Sequence, residues 1–187
     1  VNKLQKVGQV LGVPVEIFHR KNVGMSYGAL SDVYGKYRTS FDYYIVAEDD
    51  YLPSLKDLDT VLLGMIENSP QCGFLCGLVW TARGIMIPHA GIFLGIMRSM
   101  ALEKVWLKNG SLCRFSGGNY GEAELVGQVG LSSSILLAGF SIQDWLKTHK
   151  SVFFDVKGMT TFGNAQAPAF FVPAQSAQFL AKRLCLC

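Results

Sequence analysis

Three consecutive carboxylates, Glu48-Asp49-Asp50, close an apolar run over residues 41–47 (FDYYIVA). Like charges at contact distance repel and raise one another's pKa values. A divalent cation offsets that repulsion, and hard carboxylate oxygens at a strand end suit Mg2+ or Mn2+, which also hold phosphate oxygens. The alternative is a solvated acidic turn ahead of a helix, where negative charge is favourable. The preceding run is too apolar for a surface hairpin, and a Lys21-Asn22-Val23-Gly24 turn followed by a helix comes directly before it. Together these features favour a site for a metal and a nucleotide.

The elements that must position the triplet follow from periodicity. Residues 3–11 read as a helix stopped by Gly12, and residues 13–19 (VPVEIFH) alternate as a short strand. Residues 25–37 carry apolar side chains at helical spacing, and residues 41–47 form a buried strand. Pro53 and Ser54 introduce a helix over residues 55–67, before a buried strand over 72–80 and a further strand over 89–97. A short helix over 100–107, a glycine-rich loop over 117–121 and a helix over 122–137 ended by Ala138-Gly139 come next. Residues 151–156 are the last strand, and the tail from about residue 158 is irregular, then helical over 174–184. Strands alternating with helices imply an α/β fold, a sheet with helices on both faces, and ligands there sit beyond the carboxyl ends of the strands. The acidic triplet occupies such an end.

The 187 residues suit a single domain, and with half of them apolar and 17% charged the chain is expected to fold. A net charge of +3 is too small to argue for nucleic acid or an anionic membrane as the main partner. No apolar run reaches the ~20 residues of a membrane span; the longest, over residues 84–100, is broken by Pro88, His89 and Arg98. The five cysteines lack a disulfide-framework spacing and fit reduced thiols, hence a cytoplasmic setting. Cys72 and Cys76 read as core residues, without the second pair a zinc site needs.

The Asn22-Val23-Gly24 turn, its helix, the strand and Glu48-Asp49-Asp50 together resemble the core of glycosyltransferases with the GT-A fold, most closely the family-2-like enzymes. Their signature is an Asn-x-Gly turn, a helix, a hydrophobic strand and the DXD motif, here in a Glu-Asp-Asp variant. Gly121-Glu122-Ala123-Glu124-Leu125, followed by Leu137-Ala138-Gly139-Phe140, is similar to that family's acidic motif on a helix and its Ala-Gly-aromatic turn. The resemblance spans about residues 13–155. It implies a Rossmann-like, mostly parallel mixed sheet flanked by helices. It also implies that Asp50 binds Mn2+ or Mg2+ directly, that Glu48 and Asp49 lie against the ribose and the diphosphate–metal complex, and that Asn22 and Gly24 wall the nucleotide pocket. One of Glu122 and Glu124 would be the general base of an inverting enzyme; Glu122 is favoured because it follows the glycine directly.

Three departures accompany the resemblance. The family's opening strand is absent, so either an upstream segment precedes this chain or that strand is supplied otherwise. In place of a basic residue after the turn stands Ser26, with Lys21 the closest cation. His149 is a candidate for a late metal-proximal histidine, with no motif to fix it.

The implied activity is transfer of a sugar from a nucleotide-diphosphate donor, a UDP-sugar foremost, to a glycan or other hydroxyl acceptor. Two rivals stay open: a sugar-phosphate nucleotidyltransferase and a non-catalytic glycan- or partner-binding remnant of a transferase. The apolar ending Leu184-Cys185-Leu186-Cys187 suggests a further domain or a partner. Trp80, Trp106, His89 and Asp144 are each weighed between lining a sugar pocket and simple packing or capping.

Overall fold

The computed structural model describes residues 2–48, 51–53, 57–80, 89–92, 94–117, 119–145, 153–155 and 184–186. Helix α1 (Asn2–Leu11) stops at Gly12, whose φ is 65°. Residues 13–19, expected as a strand, carry no regular secondary structure. The segment contacts a helix, and no ladder forms. Glu16 accepts hydrogen bonds from Lys36 and Tyr37 of helix α2 (Met25–Tyr37), and the Lys36 ammonium also lies over the Phe18 ring.

Strand β1 (Tyr43–Ala47) follows, then β2 (Tyr51–Pro53), helix α3 (Leu58–Glu67) and strand β3 (Cys72–Cys76). The expected continuous strands over 72–80 and 89–97 are each split. After Gly77 the chain leaves the main sheet, and β4 (Val79–Trp80) pairs with β5 (His89–Ala90) as a separate antiparallel ribbon before β6 (Leu94–Arg98) returns. Two backbone bonds close the fork: Gly77 N–H donates to Leu94 O at 2.9 Å, and Gly91 N–H donates to Leu78 O at 3.2 Å.

Helix α4 (Ser99–Asn109) is followed by α5 (Tyr120–Glu122), a π-helical segment (Ala123–Val129) and α6 (Gly130–Leu137). This helical run opens two residues before the expected start, and its middle is wider than an α-helix. Three strands complete the described residues: β7 (Ser141–Asp144), β8 (Phe153–Asp155) and β9 (Leu184–Leu186). The strand expected over 151–156 is represented by β8, which pairs with β2 outside the main sheet. Leu184 lies in β9 and so is not the end of a helix; the rest of the expected tail helix falls outside the described residues.

Among the described residues the main sheet has five strands in the order β7-β3-β6-β1-β9. β6 runs antiparallel to both neighbours, while β7 is parallel to β3 and β9 is parallel to β1. The chain is therefore α/β with a mixed sheet, as its alternation of elements implies. Because β6 runs back between them, β1 and β3 point the same way, and their carboxyl ends lie on one side of the sheet.

Each face is covered by helices. On one face Tyr44, Val46, Phe74, Cys76 and Met97 pack under Leu30 and Tyr34 of α2, Leu102 and Val105 of α4, and Leu131 and Ile135 of α6. On the other, Tyr43, Ile45, Leu75, Leu94 and Ile96 pack under Leu58, Leu62, Leu63 and Ile66 of α3, with Trp145. Neighbours in β1 alternate between the two clusters, the period a twice-covered strand requires. Phe74 is fully buried in a central strand. Phe74→Ala is expected to destabilise the fold by about 3–5 kcal/mol, read as a lower urea midpoint with little change in the slope of the transition.

Candidate functional site

The site begins at Gly24. Its φ of 72° lies in the left-handed region, and Met25 follows at φ 49°, an uncommon value for a residue with a side chain. A Cβ on Gly24 would sit 2.2 Å from Cδ2 of Phe115, so the turn has no room for another residue. The Gly24 N–H donates to Gly117 O at 3.2 Å. Arg20 braces the turn, donating through Nε to Asp32 at 2.6 Å and through Nη2 to Val23 O. Lys21 and Asn22 are exposed on the rim of the turn, and Gly24 is buried beneath it.

Helix α2 leaves this turn with Ser26 and Tyr27 in its first turn. Ser26 Oγ donates to Glu48 Oε1 at 2.6 Å, fixing the first carboxylate of the triplet just past the end of β1. Tyr27 is buried against the π-helical segment. A Cβ on Gly127 would fall 2.5 Å from the tyrosine ring, so glycine is what permits the close approach. The Tyr27 hydroxyl donates to Ala90 O at 3.1 Å, and the Ala90 N–H donates to Ser132 Oγ of α6 at 2.9 Å. Burial pushes the Tyr27 hydroxyl well above its ordinary pKa, with Cys113 and Glu48 adding to the rise.

The turn, the end of β1, β5 and the π-helical segment thus converge at the carboxyl side of the sheet. Glu48 is half-buried there. Asp49, Asp50 and His149 lie outside the described residues. Among the described residues no group of three or more His, Cys, Asp and Glu could hold a metal ion.

Glu122 has a different setting from the one a general base needs. Its carboxylate accepts from Ser116 N–H at 2.6 Å, Ser116 Oγ at 2.8 Å and Gly117 N–H at 2.9 Å. These bonds, the Ser116 backbone first, hold its pKa below the usual carboxylate value. A desolvated setting beside Tyr120 would raise it instead, but Tyr120 is 71% exposed. Asn119 Oδ1 accepts from Glu122 N–H at 2.7 Å, so Asn119 and Glu122 form a variant of the capping box, with the glutamate reaching past the cap to Ser116 and Gly117. Asn119-x-x-Glu122 is the signal that could have identified this role from sequence. Glu124 is exposed on the π-helical segment.

The other residues considered divide clearly. Trp106 packs on Tyr34 with ring centroids 5.7 Å apart and stacks under Arg38, which places it with the core. Asp144 Oδ2 accepts from Val79 N–H at 3.2 Å and so ties the β4–β5 ribbon to β7. His89 is buried in that ribbon, and the side chain of Trp80 lies outside the described residues. Burial raises the thiols of Cys72 to about 11 and Cys113 to about 12, and raises Cys76 as well, so all three remain protonated core or near-core groups. The contribution of Ser26, Tyr27 and Ser132 to binding this corner together follows from tertiary contacts that chain order alone does not display.

Because the folded pKa of Glu122 is depressed, its contribution to stability is present above its unfolded pKa of about 4.3. It is lost as pH falls through the folded value. Glu122→Gln should therefore lower Tm at neutral pH, and the gap between variant and parent should close as pH falls through the acidic range. A gap that stays constant with pH would show that the carboxylate charge does not hold the turn.

Among the described residues no helix is long and apolar enough to cross a membrane. No protein-family model matches the chain, and comparison with curated proteins and with solved structures likewise finds no match.

Proposed function

We propose that the protein is a metal-dependent glycosyltransferase of GT-A type that moves a sugar from a nucleotide-diphosphate donor, a UDP-sugar foremost, to a hydroxyl acceptor. One observation carries the reading. Two segments about ninety residues apart in sequence meet at one strand end: Gly24 bonds the Gly117 turn that Glu122 holds, while Ser26, two residues on, bonds Glu48. These are the two segments that the family resemblance assigns to a single site. The mixed sheet and the position beyond the carboxyl end of β1 support the same reading.

Glu48 is a hard oxygen donor, half-buried and oriented by Ser26, which fits an Mg2+ or Mn2+ ion better than a softer metal. Asp50 would be the direct metal ligand, with Asp49 and Glu48 beside the ribose and diphosphate. The ion would supply positive charge to the departing diphosphate. Asn22 and Gly24 wall the nucleotide, and Lys21 stands at the rim of the turn. Of the two motif carboxylates, Glu122 shapes the Ser116-Gly117 turn, and its lowered pKa makes it a weak proton acceptor. Glu124 holds no part of that turn, so in this reading the role of base for the acceptor hydroxyl falls to it.

Three variants test the assignment. Asp50→Ala should abolish metal-dependent release of nucleoside diphosphate from a panel of sugar nucleotides while leaving the thermal melt intact. Full turnover by that variant removes the metal assignment. Glu124→Gln should keep calorimetric binding of UDP with Mn2+ and lose turnover by about 10²–10⁴-fold, the usual worth of general base catalysis. If Glu122→Gln shows that pattern and Glu124→Gln does not, Glu122 is the base despite its bonded state.

A further inference from the structure

The inner side of α4 is filled: Ala101, Leu102 and Val105 are buried in the core, and Trp106 packs partly against it. The acidic residue of this helix, Glu103, is engaged by Arg38 through two bonds at 2.7 and 2.6 Å, which tie α4 to the segment after α2. The outer side has another composition. At about 100° per residue, Met100, Lys104, Leu107 and Lys108 fall on a single stripe. Met100 is 61% and Leu107 69% exposed. The Lys104 ammonium lies 4.9 Å from the centre of the Phe140 ring, which brings the end of α6 alongside; Leu137, there, is 75% exposed. Arg114 extends the positive charge past the end of α4, with its guanidinium donating to Asn109 O.

Scattered exposed leucines need no explanation. Here apolar side chains alternate with cations on one stripe of a helix whose other side already fills the core. That pattern suits the boundary between headgroups and acyl chains, where Met and Leu enter the apolar layer while lysine stems lie along it and their ammonium groups meet lipid phosphates. A protein groove would have to be both apolar and acidic to match the same stripe.

We propose that the outer face of α4, with Leu137 at its edge, docks on an anionic lipid surface. Charge complementarity selects that occupant: Lys104, Lys108 and Arg114 lie on or beside the stripe, and Glu103 is turned to Arg38. The proposal stands apart from the transferase reading, because none of these residues belongs to the candidate site.

Co-sedimentation of the full chain with vesicles tests it. Vesicles of phosphatidylcholine mixed with phosphatidylglycerol should bind the protein, with binding that weakens as salt rises, and vesicles of phosphatidylcholine alone should not. Lys104→Glu with Lys108→Glu should cut the partition coefficient by about tenfold or more, as expected for cations near an anionic surface. Met100→Ser with Leu107→Ser should also lose binding although the net charge is unchanged, whereas Leu125→Ser, an exposed leucine off this face, should bind as the parent does. Circular dichroism melts confirm that each variant is folded. Equal binding to both vesicle types, or parent-like binding by the Met100/Leu107 variant, overturns the proposal. So does self-association in sedimentation velocity that disappears with the same substitutions, because the face would then pair with a second copy of the chain.

Discussion

The corner around Glu48 depends on Gly24. With φ at 72° and Phe115 packed where a Cβ would lie, the chain turns there within a single residue, and the N–H that it exposes is taken by Gly117 O. That turn sets the direction in which α2 departs. The direction in turn decides that Ser26 faces Glu48 and that Tyr27 reaches under the π-helical segment to Ala90. Any other residue at this position would meet both an unfavourable backbone region and the Phe115 ring, which would have to shift. Met25, also at positive φ, indicates that the turn is held by its surroundings against local preference, a feature that recurs at binding sites.

The two ends of the sheet are held together differently. Since β6 is antiparallel between β1 and β3, its last residue, Arg98, arrives at the amino ends of the parallel strands. There it donates to Cys72 O at 3.2 Å, to Ile66 O at 2.6 Å and to the Tyr43 hydroxyl at 3.1 Å, stapling α3, β3 and β1. The opposite end of the sheet carries Glu48 and the fork into the β4–β5 ribbon. Polar groups are tied into the fold at both ends, by Arg98 at one and by the Ser26–Glu48 and Val79–Asp144 bonds at the other.

The elements legible from sequence were those in which local pattern and tertiary use agree. Helix α2 and strand β1 have apolar side chains at the period their burial requires, and both stand close to where the pattern places them. Residues 13–19 alternate as a strand would, yet no ladder forms, and the contacts of this segment with α2 come from Glu16 and Phe18. The β3–β4 and β5–β6 breaks are invisible in hydropathy because both halves are apolar, and a backbone fork at Gly77 and Gly91 divides them. β7, with the sequence SIQD, is too polar to be seen as a strand at all; it is recruited by the edge of β3. Within the site, the acidic strand end and the Asn-x-Gly turn could be read directly, whereas their union with the Gly117 loop depends on a bond spanning more than ninety residues.

Glu122 shows why residue type and spacing do not settle a chemical role. A carboxylate becomes an effective base near neutral pH when burial or a like charge destabilises its anion. It becomes a structural acceptor when backbone N–H groups converge on it, and the same bonds that make it useful there lower its proton affinity. Glu122 has two such donors, Ser116 and Gly117, with the Ser116 hydroxyl as a third, and its pKa shifts down. Glu48 contrasts with it: it accepts from Ser26, and its charge adds to the burial that raises the pKa of the Tyr27 hydroxyl, which donates to Ala90 O.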